Sequence, residues 1–163
     1  MDHRSPVPSR AAIAGHPIHP MLIPFPMAFL VGAFFCDLGY WGTEDPFWAR
    51  ASFWLIASGL ATGLLAGLFG AVDFVTLSRP KHVLHGWVHA VGNIVVLLLA
   101  AVNLYLREEQ VPTDVLPWGL LLSLATVLLL GITGWMGGEL SYRYQVGVLP
   151  AETDQEERTR EPE

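Results

Sequence analysis

Residues 51–72 read ASFWLIASGLATGLLAGLFGAV, twenty-two positions without a charged side chain. A helix needs about 20 such residues to cross the hydrocarbon core of a bilayer. The apolar run continues on both sides, from about Phe47 to Leu77. That is longer than the core requires, so the helix must tilt or protrude. Asp45-Pro46 is a natural start, because proline is pre-set for the first helical position and its missing N–H costs nothing there.

Three more spans flank this one. The first runs from Met21 to about Trp41 and is entered through Pro17, Pro20, Pro24 and Pro26, so its entry is extended or kinked. The third runs from about Pro80 to Leu106, and the fourth from about Val115 to Met136, with Gly137-Gly138 as the expected C-cap. Short connections make successive helices antiparallel neighbours. The expected fold is all-α, a four-transmembrane-helix antiparallel bundle over residues 15–148. A flexible segment, 1–14, precedes it. A disordered tail, 149–163, carries Glu152, Asp154, Glu156, Glu157, Glu161 and Glu163.

Composition agrees with a membrane protein. Hydrophobic residues make up 52% of the chain and charged ones 15%, against about 25% in soluble domains. The net charge is −6, and no basic run offers phosphate contacts, which excludes nucleic acid as a partner. The lone Cys36 can form no intrachain disulfide. The first apolar run is too long for a signal-peptide core and reads as an uncleaved span. Tyr40, Trp41, Trp48, Trp87, Trp118, Trp135 and Tyr142 gather toward the span ends, as an interfacial aromatic belt does.

Let side A be the membrane face bearing the N-terminus and side B the other. Arg4, Arg10, Arg79, Lys81, Arg143, Arg158 and Arg160 fall on side A, and Arg50 and Arg107 on side B. The positive-inside rule makes side A cytoplasmic, and the chain a multi-pass protein of the inner (plasma) membrane with both termini in the cytoplasm.

Chemistry concentrates in the histidines. His16 and His19 lead into the first span, and His82, His85 and His89 open the third. On a helix these last three fall within about 60° of one another. Topology places both clusters on side A, together with Asp73, Glu139, Tyr142 and Arg143, while side B has no histidine. Ionisable groups in membrane segments point to function by default.

Imidazoles from two helices suit axial ligation of a b-type haem. One would come from His16 or His19 and the other from His85 or His89, with His19 and His89 the first choice. Arg79, Lys81 and Arg143 would meet the propionates. Asp73, Glu139 and His82 would support the ligands from behind. No C-x-x-C-H motif is present, so the haem would be non-covalent. The glycine stripe Gly59, Gly63, Gly67 and Gly70, echoed by Gly131, Gly134 and Gly137, serves close helix packing or leaves a slot for a flat ring. One-electron transfer at the cytoplasmic face follows, with a separate redox protein or a quinone as partner. A zinc or non-haem-iron hydrolase using three histidines and Asp73 or Glu139 is the enzymatic alternative. A proton relay or pH sensor, or a scaffold without a prosthetic group, is the non-enzymatic one.

The run Gly15-His16-Pro17-Ile18-His19-Pro20-Met21-Leu22-Ile23-Pro24-Phe25-Pro26 resembles the opening signature of a bacterial membrane family, domain of unknown function 2231. His85-Gly86-Trp87-Val88-His89 and Gly134-Trp135-Met136-Gly137-Gly138-Glu139-Leu140 extend the resemblance over about residues 15 to 148. It implies four spans and, through fusion of some relatives to iron–sulfur or cytochrome modules, a link to electron transfer. It also marks His16, His19, His85, His89, Asp73 and Glu139 as the site.

Overall fold

The computed structural model describes residues 5–107 and 115–149. Two short strands, β1 (Ala12–Ile13) and β2 (His16–Pro17), form a hairpin that leads into α1 (Ile18–Leu22). Then follow α2 (Pro24–Thr43), α3 (Pro46–Thr76), the one-turn α4 (Ser78–Lys81), α5 (Leu84–Tyr105) and α6 (Trp118–Tyr142). Four helical stretches are long and apolar enough to cross a membrane: Ile18–Thr43, Pro46–Thr76, Leu84–Tyr105 and Trp118–Tyr142.

Proline chemistry sets the breaks. Pro24 and Pro26 cannot donate to the turn before them, and the first span divides at Ile23 into α1 and α2. Asp45 caps α3 by accepting from the Phe47 N–H at 2.9 Å, and Pro46 is its first residue. The third span begins at Leu84 and not at Pro80, because extended Val83 separates it from α4, where Pro80 sits. Gly137-Gly138 is not a C-cap either. α6 runs on to Tyr142, since Gly137 is there to receive a side chain from α5 (below).

α2 packs on α3 and α6, and α5 packs on α6 and α3, closing an antiparallel four-helix ring. Leu30, Ala33, Ile56, Val96, Ala100 and Leu130 fill its middle. Large apolar side chains such as Phe35, Leu68, Leu98, Leu128 and Ile132 point outward, while Asp37, Ser52, Asn103, Arg107, Ser123 and Thr133 are buried. Polar inside and apolar outside is what lipid demands of a bundle.

The first and last described segments meet at side A. The lead-in expected to be flexible is tied down from residue 5 onward. Val7 and Val146 form a parallel bridge, with Val7 N–H donating to Gln145 O and Gly147 N–H to Val7 O, both at 2.8 Å. The expected acidic tail lies outside the described residues, apart from its first position, Leu149.

Candidate functional site

Of the histidines gathered on side A, the fold brings two ring to ring. His19 on α1 and His89 on α5 stand with ring centres 6.0 Å apart and planes at 88°. His19 Nδ1 lies 2.7 Å from Ala66 O of α3, and His89 Nδ1 lies 2.9 Å from Thr133 O of α6. A carbonyl only accepts, so each Nδ1 carries the proton and donates. A ring so anchored has, in its neutral form, its lone pair on Nε2. No hydrogen bond from the described residues reaches Nε2 of His19, and Nε2 of His89 has only the Asn93 amide at 3.5 Å. This is one of the two tautomers in which histidine can bind a metal, here through Nε2, with Nδ1 held by the kind of backbone contact that such ligands use.

Each ring also lies against a glycine. A Cβ on Gly70 would stand 2.8 Å from the His19 ring, and one on Gly137 2.8 Å from the His89 ring. The glycines thus make room for imidazoles. Leu30 occupies the notch at Gly59 and Leu97 that at Gly63, so the stripe is a packing surface and not an open slot.

The other expected residues lie elsewhere. His16 is exposed and closes the hairpin turn onto Ala14 O at 3.0 Å. His82 is exposed at the end of α4. His85 pairs with Tyr144, whose hydroxyl is 3.4 Å from Nδ1. Asp73 accepts from Ser9 Oγ at 2.6 Å and from the Arg10 and Ala11 N–H groups at 2.8 and 3.1 Å, so it grips the N-terminal segment and not an imidazole. Glu139 faces Arg143 at 3.4 Å. Arg79 donates to Ser5 O and Tyr144 O at 2.6 and 2.9 Å, and Lys81 caps α3 through Val75 O at 2.8 Å.

A family model described as a predicted membrane protein, domain of unknown function 2231, matches residues 15–150. The chain belongs to this family. Comparison with curated proteins and with solved structures finds no match.

This member of the family has a second polar centre, at side B, that the sequence reading did not single out. Arg107, expected among the side-B surface cations, is buried and forms a two-pronged ion pair with Asp37, Nη1–Oδ1 and Nη2–Oδ2 both at 2.7 Å. Ser123 donates to Asp37 Oδ2 at 2.6 Å. Arg107 also donates to Ser52 Oγ at 2.8 Å and to Asn103 Oδ1 at 2.8 Å. Polar chemistry therefore sits at both ends of the bundle, not at side A alone.

A pattern in the numbering could have revealed it. His89 follows His19 by 70 positions, and Arg107 follows Asp37 by 70. On the partner helices Gly67-x-x-Gly70 recurs 67 positions later as Gly134-x-x-Gly137, and Ala66 as Thr133. The contacts repeat as well. Met27 touches the Gly134 position at 3.7 Å and its counterpart Leu97 the Gly67 position at 3.9 Å. The pair Ala33–Ser52 is matched by Asn103–Gly119, with the hydrogen bond reversed: Ser52 Oγ donates to Ala33 O, whereas Asn103 Nδ2 donates to Gly119 O. The bundle is two equivalent helix pairs about an approximate two-fold axis, and both polar pairs meet across that axis.

Proposed function

We propose that the protein binds haem b between His19 and His89 and transfers single electrons at side A. The paired imidazoles carry this reading: two rings 6.0 Å apart, each anchored through Nδ1. Each ring keeps its second nitrogen clear of a short partner among the described residues, so His19 and His89 would be the two residues to hold the iron. The donor set favours haem over a bare ion. Zinc and non-haem iron draw three or four ligands from the protein, and no group of three His, Cys, Asp or Glu converges among the described residues. A porphyrin supplies its own equatorial nitrogens and asks the protein for axial ligands only. Room for the ring would require Met27 and Leu97 to repack, the side chains that stand over Gly134 and Gly67.

When bound, the haem would supply a one-electron couple. The chain's own residues would hold its iron, exclude water and face a redox protein or quinone at side A. The lysine and arginine balance supports side A as the cytoplasmic face of the plasma membrane. The test is the absorption spectrum of detergent-purified protein made with haem precursor, before and after dithionite. A Soret band that shifts on reduction, with resolved α and β bands lost in both His19→Ala and His89→Ala, is the expected result. A featureless spectrum from folded protein would overturn the reading.

A further inference from the structure

We infer that Asp73 is a positioning residue for His19, acting through the N-terminal segment as a latch. This rests on the reading of His19 and His89 as a ligand pair. His89 sits in the second turn of the long α5, whose length fixes it. His19 has no such support: α1 is five residues long, bounded by β2 on one side and the break at Ile23 on the other. Its entry is fixed from outside. The Ile18 N–H donates to Ala11 O at 2.9 Å, and the N–H of that same Ala11 donates to Asp73 Oδ1 at 3.1 Å, with Arg10 N–H and Ser9 Oγ completing the grip. The carboxylate on the last turn of α3 thus reaches Ile18, the residue before His19, in two hydrogen-bonded steps. α3 also presents Ala66 O and Gly70 to the His19 ring, so one helix holds the residue from both sides.

The repeat sharpens the point. The position equivalent to Asp73 in the second half is Leu140, which has no carboxylate to latch the segment before His89. The two imidazoles therefore differ in what holds them, and losing Asp73 should free one and spare the other.

The test needs no bound ligand. Full-length protein in detergent is treated with diethylpyrocarbonate, and the labelling rates of His19 and His89 are read separately by mass spectrometry in the parent, Asp73→Ala, Asp73→Asn and Ser9→Ala. Losing hydrogen bonds to a charged acceptor should raise His19 labelling about tenfold in Asp73→Ala, less in Asp73→Asn and Ser9→Ala, with His89 changed by less than about twofold. Equal acceleration at both histidines, or none at His19, would overturn the inference. Should Asp73→Ala not fold, the split in the two milder variants decides. Hemin titration of the same samples keeps the questions apart: a parent that takes no hemin removes the haem reading, while the labelling split still decides the latch.

Discussion

The two ends of the bundle axis carry the same kind of feature, a pair of polar side chains facing each other across the approximate two-fold, and they differ in whether their bonding is closed. At side B the Asp37 carboxylate and the Arg107 guanidinium meet in a double ion pair, and Ser52, Asn103 and Ser123 take up further bonding capacity. At side A each imidazole has one nitrogen committed to a carbonyl, and its other nitrogen lacks a short partner among the described residues. A closed cluster in a low-dielectric core holds helices in register. An open one keeps lone pairs for something else. The difference fits the proposed division, structure at one end and ligand binding at the other.

The largest effect should come from breaking the closed end on one side only. Arg107→Met leaves a buried carboxylate unpaired and should cost about 3–5 kcal/mol of stability, measured by denaturant unfolding in detergent. The double replacement Asp37→Leu with Arg107→Met should regain most of that loss, because apolar side chains can substitute for a buried ion pair. If the double variant is as unstable as the single one, the cluster does more than hold helices together.

At the open end the expected pattern is reversed: little change in stability and a large change in binding. His19→Ala and His89→Ala should each abolish the low-spin haem spectrum, to equal extents if the two-fold describes the site. Loss in one variant only would mean that the halves are not equivalent there.

Next come the glycines beneath the rings. Gly70→Ala and Gly137→Ala place a methyl 2.8 Å from an imidazole, and overpacking of this kind costs about 1–3 kcal/mol. The two should match within error when compared by thermal unfolding. Gly131→Ala is the control for this pair. Nothing stands within 4 Å of the added carbon, so the usual helix gain of about 1 kcal/mol or less should appear instead. Comparable in size, Asn93→Ala removes an amide that donates to His89 O at 2.7 Å and has no counterpart beside His19, where Ile23 holds the equivalent position. It should cost about 0.5–1.5 kcal/mol, read by thermal unfolding.

Much of this architecture is legible in the residues themselves. Four apolar runs, each long enough to cross a bilayer, dictate four helices, because unpaired backbone has no place in lipid. Counting crossings then puts every one of the clustered histidines at one face. Local chemistry also marks the Asp45-Pro46 helix start. It misleads where a residue type serves two purposes: Gly137-Gly138 reads as a terminus, yet Gly137 is interior because the His89 ring needs the space. Arg107 reads as a loop cation for the same reason, since arginine near a span end is usually wet, and only the approach of Asp37 from another helix changes that.

Sequence alone thus determined the class of fold, the membrane setting and the face that holds the histidines, since these depend on length, hydropathy and the parity of crossings. Tertiary structure decided which two of the clustered histidines meet, which ring nitrogen each keeps open, and that Asp73 grips a strap and not an imidazole. Those outcomes depend on rotation of each helix about its own axis and on contacts between residues about 40 to 70 positions apart. Neither is written in any single run of residues.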